Sequence, residues 1–215
     1  MKRFLRRLFK SRSRNNMYYS RDYYYEISLD KYYNVETYLQ LVKNKNKQAL
    51  TTEQDILFST SSLFKDQPRK YLKRKYGNPN YEVSHKFPFG VVNILFYKIF
   101  LGTQKVRLEL HFFKNQLFFF NYTFSYLKDE DEKNLILKVL SEKYNLSQQI
   151  NPATQFITDK SGNAIMLMDS IALVINYLCD VNSQVYLDME AYAGRLAVEQ
   201  EELQAKKQQE LFDRL

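Results

Sequence analysis

The sequence predicts an α+β protein: a mostly antiparallel β-sheet with helices packed on one face, a basic N-terminal arm and an extended C-terminal helix. Three observations carry this expectation. Apolar residues recur with a period near 3.6 before Gly77 and near 2 from Tyr81 onward. Turn residues punctuate the period-2 region at short intervals. The final stretch, EQEELQAKKQQELFDRL, is rich in Glu, Gln, Lys and Leu and compatible with helix throughout. With 45% hydrophobic and 26% charged residues, the chain of 215 residues can bury a real core, which excludes collagen-like and wholly disordered classes.

The N-terminal arm, residues 1–16, carries Lys2, Arg3, Arg6, Arg7, Lys10, Arg12 and Arg14 and no acid, so it supplies nearly all of the net charge of +8. On a helical wheel Phe4, Leu5, Leu8 and Phe9 fall opposite the basic residues. No apolar run is long enough for a signal peptide or a membrane span. Four readings of the arm remain open. It could pack on its own domain, reach into nucleic acid or an acidic neighbour, lie on a membrane surface, or serve as a transit peptide.

After a tyrosine-rich stretch (18–33), read as buried rings rather than a base-stacking platform, Asn34 predicts an N-cap to a helix of about 35–43. Residues 43–53 read as a polar loop. Pro68 predicts the first turn of a helix that ends at Gly77, and the intervening cluster Arg69, Lys70, Lys73, Arg74 and Lys75 is a candidate phosphate-contacting face.

Strands are expected at 81–87, 91–100, 104–113 and 116–124. In the third, Val106, Leu108, Leu110 and Phe112 alternate with Arg107, Glu109 and His111, which predicts one buried and one wetter face. Lys114-Asn115 reads as a two-residue hairpin turn. A helix over 129–144 follows, with Asp129 and Glu132 at capping-box spacing and Leu135, Ile136, Val139 and Leu140 as its apolar stripe. Strands at 156–158, 164–168 and 171–178 come next, and then helix from about Asp188. The expected organisation is an arm (1–16), one α+β domain (17–187, with a subdivision near 150 left open) and a C-terminal helix (188–215). On that last helix Leu203, Leu211 and Leu215 form a stripe too thin to hold it on its own domain, so docking on a partner is expected.

The helix, the turn Gly77-Asn78-Pro79 and the following antiparallel strands, from Asp66 to about Tyr126, resemble the small α+β modules of the BamE type. The resemblance covers a short part of the chain. The lipoprotein signal and cysteine of that family are not found here, and no function is carried over.

Chemistry is sparse. There is no G-x-G-x-x-G, no G-x-x-x-x-G-K-[ST] and no G-x-S-x-G. His85 and His111 read as structural, and Cys179 as a small buried hydrophobe. Asp159 and Asp169 flank a turn at 160–163 and read as turn and edge residues, with a paired acid-base or cation role as the competing reading. No catalytic residue, cofactor, metal or small-molecule substrate is expected. The expected role is a non-catalytic structural or adaptor subunit of a large assembly. Its expected partners are other protein subunits, with nucleic acid contacted through residues 1–16. The strong use of Lys, Asn, Tyr, Phe and Ile matches AT-rich coding and suggests a phage virion or phage-tail-like particle, or bacterial cytoplasm. A membrane-surface or organellar complex subunit is the alternative, and a small cytoplasmic enzyme with an unrecognised site the second alternative.

Overall fold

Long runs of apolar residues on both sides of the central strands decide the architecture. In β3 (Gly90–Leu101), Leu95 and Tyr97 enter one apolar cluster while Val92, Ile94 and Phe96 enter another. Side chains alternate across a strand, so the two clusters lie on opposite faces of one sheet. Both must be covered. The computed structural model describes residues 21–43, 47–58 and 67–214, and the basic arm lies outside them.

The sheet has eight strands in the order β1-β6-β7-β8-β5-β4-β3-β2. They are β1 (Gln48–Thr52), β2 (Tyr81–Phe87), β3, β4 (Gln104–Phe113), β5 (Gln116–Phe124), β6 (Gln155–Asp159), β7 (Ala164–Asp169) and β8 (Leu173–Leu178). Every pairing is antiparallel except β1 with β6. One meander, β2 to β5, joins a second, β6 to β8, through the central β5–β8 pair. Strands from both sides of residue 150 therefore share one sheet.

Helices cover both faces, where the sequence expects one. On the first face lie α3 (Arg69–Tyr76) through Leu72 and α4 (Glu130–Lys143) through Leu137 and Leu140. On the second lie α1 (Arg21–Asp30), a 3-10 turn (Lys31–Tyr33), α2 (Glu36–Val42) and α5 (Gln184–Phe212), through Tyr25, Leu29, Tyr32, Tyr38, Tyr186 and Met189. The tyrosine-rich stretch hides α1, whose Tyr25 and Leu29 are spaced one turn apart. Asn34 acts as expected, its side chain accepting the Glu36 amide at 3.0 Å.

Several local expectations shift by small amounts. The Asp129 carboxylate caps α4 by accepting the Glu132 amide at 2.9 Å, while Glu132 reaches back to the Lys128 amide. The buried stripe of α4 is rotated relative to the expected one, with Leu135 and Val139 exposed and Leu137 inside. The loop expected over 43–53 contains β1, which the sequence could not show because only Leu50 in QALTT is a large apolar residue. The two turn residues Lys114 and Asn115 both have positive φ (48° and 67°), the geometry that matches a two-residue hairpin to strand twist. The C-terminal helix begins at Gln184, and its first turns belong to the core. Among the described residues no helix is long and apolar enough to cross a membrane.

Candidate functional site

The expected partner contacts lie on two helices. From Ala197 to Arg214 every residue of the α5 region is exposed, so at 1.5 Å per residue the helix runs about 24 Å beyond its last packed turns. Leu203 and Leu211 are 53% and 62% exposed, and Leu215 lies outside the described residues. Val198 and Phe212, which the sequence reading leaves out, are exposed with them, Phe212 at 80%.

On α3, Leu72 and Tyr76 turn inward and set the basic residues on the remaining surface. Glu82 of β2 takes two of the candidates, Arg69 at 3.1 Å and Lys73 at 2.5 Å. Lys75 lies over the rings of Phe58 and Tyr76. Lys70 and Arg74, one turn apart, point to solvent beside the half-exposed Tyr71. Of the five basic residues singled out on this helix, Arg69 and Lys73 thus share one carboxylate, Lys75 lies over aromatic rings, and Lys70 and Arg74 face outward. The arm residues Lys2, Arg3, Arg6, Arg7, Lys10, Arg12 and Arg14 fall outside the described residues.

A third constellation departs from the sequence expectation. Arg107, Glu109 and His111 occupy the side of β4 expected to be wetter, yet Glu109 and His111 are fully buried beneath α1, the 3-10 turn and α2. The Arg107 Nε lies 2.9 Å from Glu109 Oε1. Its Nη1 donates to Ser28 Oγ of α1 at 3.0 Å. Glu109 Oε2 accepts from the Tyr32 hydroxyl at 2.6 Å and from Asn121 Nδ2 at 2.9 Å. The Tyr38 hydroxyl meets His111 Nδ1 at 2.8 Å, while Nε2 points towards Glu109 at 3.7 Å.

Burial works against the charge on Glu109, but His111, Lys31 and Arg107 outweigh it and hold the carboxyl below its ordinary range. Burial pushes His111 down, beyond what Glu109 beside it restores. Burial, reinforced by Glu109, raises the Tyr32 and Tyr38 phenols. The cluster is sealed, and its chemistry is cohesive: it ties the N-terminal helices to the middle of the sheet. A signal for it existed, because β-pairing sets Glu109 opposite Asn121 and Arg107 opposite Thr123, a polar ladder inside an aromatic-rich pair of strands.

The two aspartates beside the 160–163 turn are not brought together. Asp159 is buried and accepts from the amides of Ile56 (2.8 Å), Ser161 (2.9 Å) and Asn163 (2.9 Å), and from Asn163 Nδ2 (2.9 Å). Asp169 ends β7 at the other end of the hairpin and pairs with Lys133 of α4 at 3.1 Å. His85, at 4% exposure, packs edge-on against the Tyr33 ring.

At the end of the sheet where the 114–115 and 160–163 turns meet the start of α5, a cleft of about 420 Å³ is lined by Lys114, Phe118, Asn163, Cys179, Asp180 and Ser183, among others. Gly162 is fixed there by φ +79° and by Asp180, whose Oδ1 would lie 2.7 Å from an added Cβ. Burial pushes the Cys179 thiol up to about 11, so it stays protonated near neutral pH. Among the described residues no group of three or more His, Cys, Asp or Glu side chains could hold a metal ion. No protein-family model, no curated protein and no solved structure matches this chain.

Proposed function

We propose that the chain is a non-catalytic structural or adaptor subunit of a larger assembly, held to its neighbours through the free half of α5 and turning a basic side towards nucleic acid. One observation carries this reading: a helix of 29 residues buries only its first turns and leaves the rest, with Leu203, Leu211 and Phe212, exposed to solvent. A polar helical stretch of this length is marginal in isolation, so its order is best supplied by a partner. The basic groups this reading calls on are those of the arm, known from the sequence, and Lys70 and Arg74, exposed on α3. The finer reading, a component of a phage or phage-tail-like particle, rests on the AT-rich residue usage.

The assembly reading is tested by truncation before Arg195. In an extract of its native source the full chain should migrate in a species far larger than a dimer, and the truncated chain should leave it with an unchanged melting temperature. A full chain found only as monomer or dimer in that extract would overturn the reading.

The nucleic-acid part predicts salt-sensitive binding of duplex DNA of mixed sequence. Lys70→Glu with Arg74→Glu should flatten the log-log salt slope by roughly two, since each lost phosphate contact removes about one counterion. Equal binding by the double variant at every salt concentration would exclude α3 from the contact and leave an acidic protein neighbour as its counterpart.

A further inference from the structure

The free half of α5 carries a charge pattern that specifies one kind of partner. At about 100° per residue, positions 195, 199, 202, 206, 209 and 213 fall along a single flank of the helix. They read Arg195, Glu199, Glu202, Lys206, Gln209 and Asp213. Reversing this series about Gln204 sets Arg195 against Asp213 and Glu202 against Lys206, while Glu199 meets the neutral Gln209. No like charges meet. On a neighbouring face Leu196, Leu203 and Leu211 lie within about 80° of one another, and the same reversal brings Leu196 to within one residue of the height of Leu211 and Leu203 to within two of its own copy.

A second, independent fact selects the same centre. The exposed helical stretch, Ala197 to Phe212, has its midpoint between Gln204 and Ala205. A copy laid antiparallel about that point overlaps the whole free stretch and places each body just past the end of the other's helix. A parallel copy in register would instead bring Glu202 beside Glu202 and Lys206 beside Lys206 on this flank. Among the described residues neither Glu202 nor Lys206 is engaged by an ion pair within the chain.

We infer that the free half of α5 pairs antiparallel with the same helix of a second copy of this chain, centred on Gln204, making the dimer the unit that enters the assembly. This rests on the reading of α5 as an assembly element and adds the identity of its first partner. The apolar stripe is thin, so the dimer is reversible and its register is set by the charges.

Sedimentation equilibrium on the purified full chain tests it. The wild type should follow a monomer–dimer equilibrium. Glu202→Lys and Lys206→Glu should each weaken it about tenfold or more, because two symmetry-related contacts turn from attraction to repulsion. An equimolar mixture of the two variants should restore dimers, since each chain then offers the sign the other needs, and the double variant should dimerise with itself.

A wild type that stays monomeric at its highest soluble concentration overturns the inference. So does a dimer indifferent to both variants, or a mixture that fails to restore one. If the purified chain is monomeric while the extract still shows the large species, the inference falls and the assembly reading stands. If both are absent, both fall.

Discussion

Glu109→Leu is expected to lower unfolding free energy by about 3–5 kcal/mol, the usual cost of removing one partner from a buried ion pair. The loss has a named inventory. The Arg107 guanidinium would face an uncharged side chain where its carboxylate stood, and the Tyr32 hydroxyl and Asn121 Nδ2 would lose their shared acceptor. Urea unfolding should show a lower midpoint with an unchanged m-value. Glu109→Gln, which keeps an acceptor, should cost less, and Arg107→Met combined with Glu109→Leu should recover part of the loss. If Glu109→Leu alone left the midpoint unchanged, the cluster would not hold the N-terminal helices.

The same cluster sets a pH dependence. Burial lowers the folded pKa of His111, so as pH falls the unfolded chain, titrating near 6.5, takes up this proton first. Stability is therefore intact above that value and declines below it. Glu109, also lowered in the folded state, adds a second decline from about 4.5 downward. His111→Gln should remove the first decline and leave the second, which unfolding curves at pH 8, 6, 5 and about 3 would resolve.

The second large effect belongs to Asp159. Asp159→Ala should cost about 3–5 kcal/mol, because three backbone amides and one side-chain amide lose their acceptor at a buried site. Amide exchange should accelerate first at Ile56, Ser161 and Asn163, and then along β1. Asp169→Ala, which removes a partly exposed pair with Lys133, should change stability by less than about 1 kcal/mol. Equal effects at the two aspartates would contradict this division.

These two carboxylates show what the sequence could and could not say. Strands 81–124 were legible almost to the residue because their signals are local: period 2, Gly77 and Pro79 before them, and Lys114-Asn115 between them. The partners of Glu109 were not legible, because Tyr32 and Tyr38 come from 77 and 73 positions away in the chain, counting from Glu109 and His111 respectively. An alternation of polar and apolar residues states which side chains share a face, never what lies over that face. The same limit hid β1, whose place is fixed by β6, and placed all helices on one side. For the partner surfaces, the exposed leucines of α5 were visible from composition, whereas the pairing of Arg69 and Lys73 with Glu82 needed the β2–α3 geometry.

The order of strands also sets an order of folding events. Strands β2 to β5 are sequence neighbours joined by short turns, so they can nucleate as soon as residue 124 has left the ribosome. The pairing of β1 with β6 closes a span of more than a hundred residues, Gln48 with Gln155, and must wait for the second meander. During that interval two sheet faces rich in phenylalanine stand open to water. The tyrosine-bearing helices, already synthesised upstream, are the first segments at hand to shield one of them.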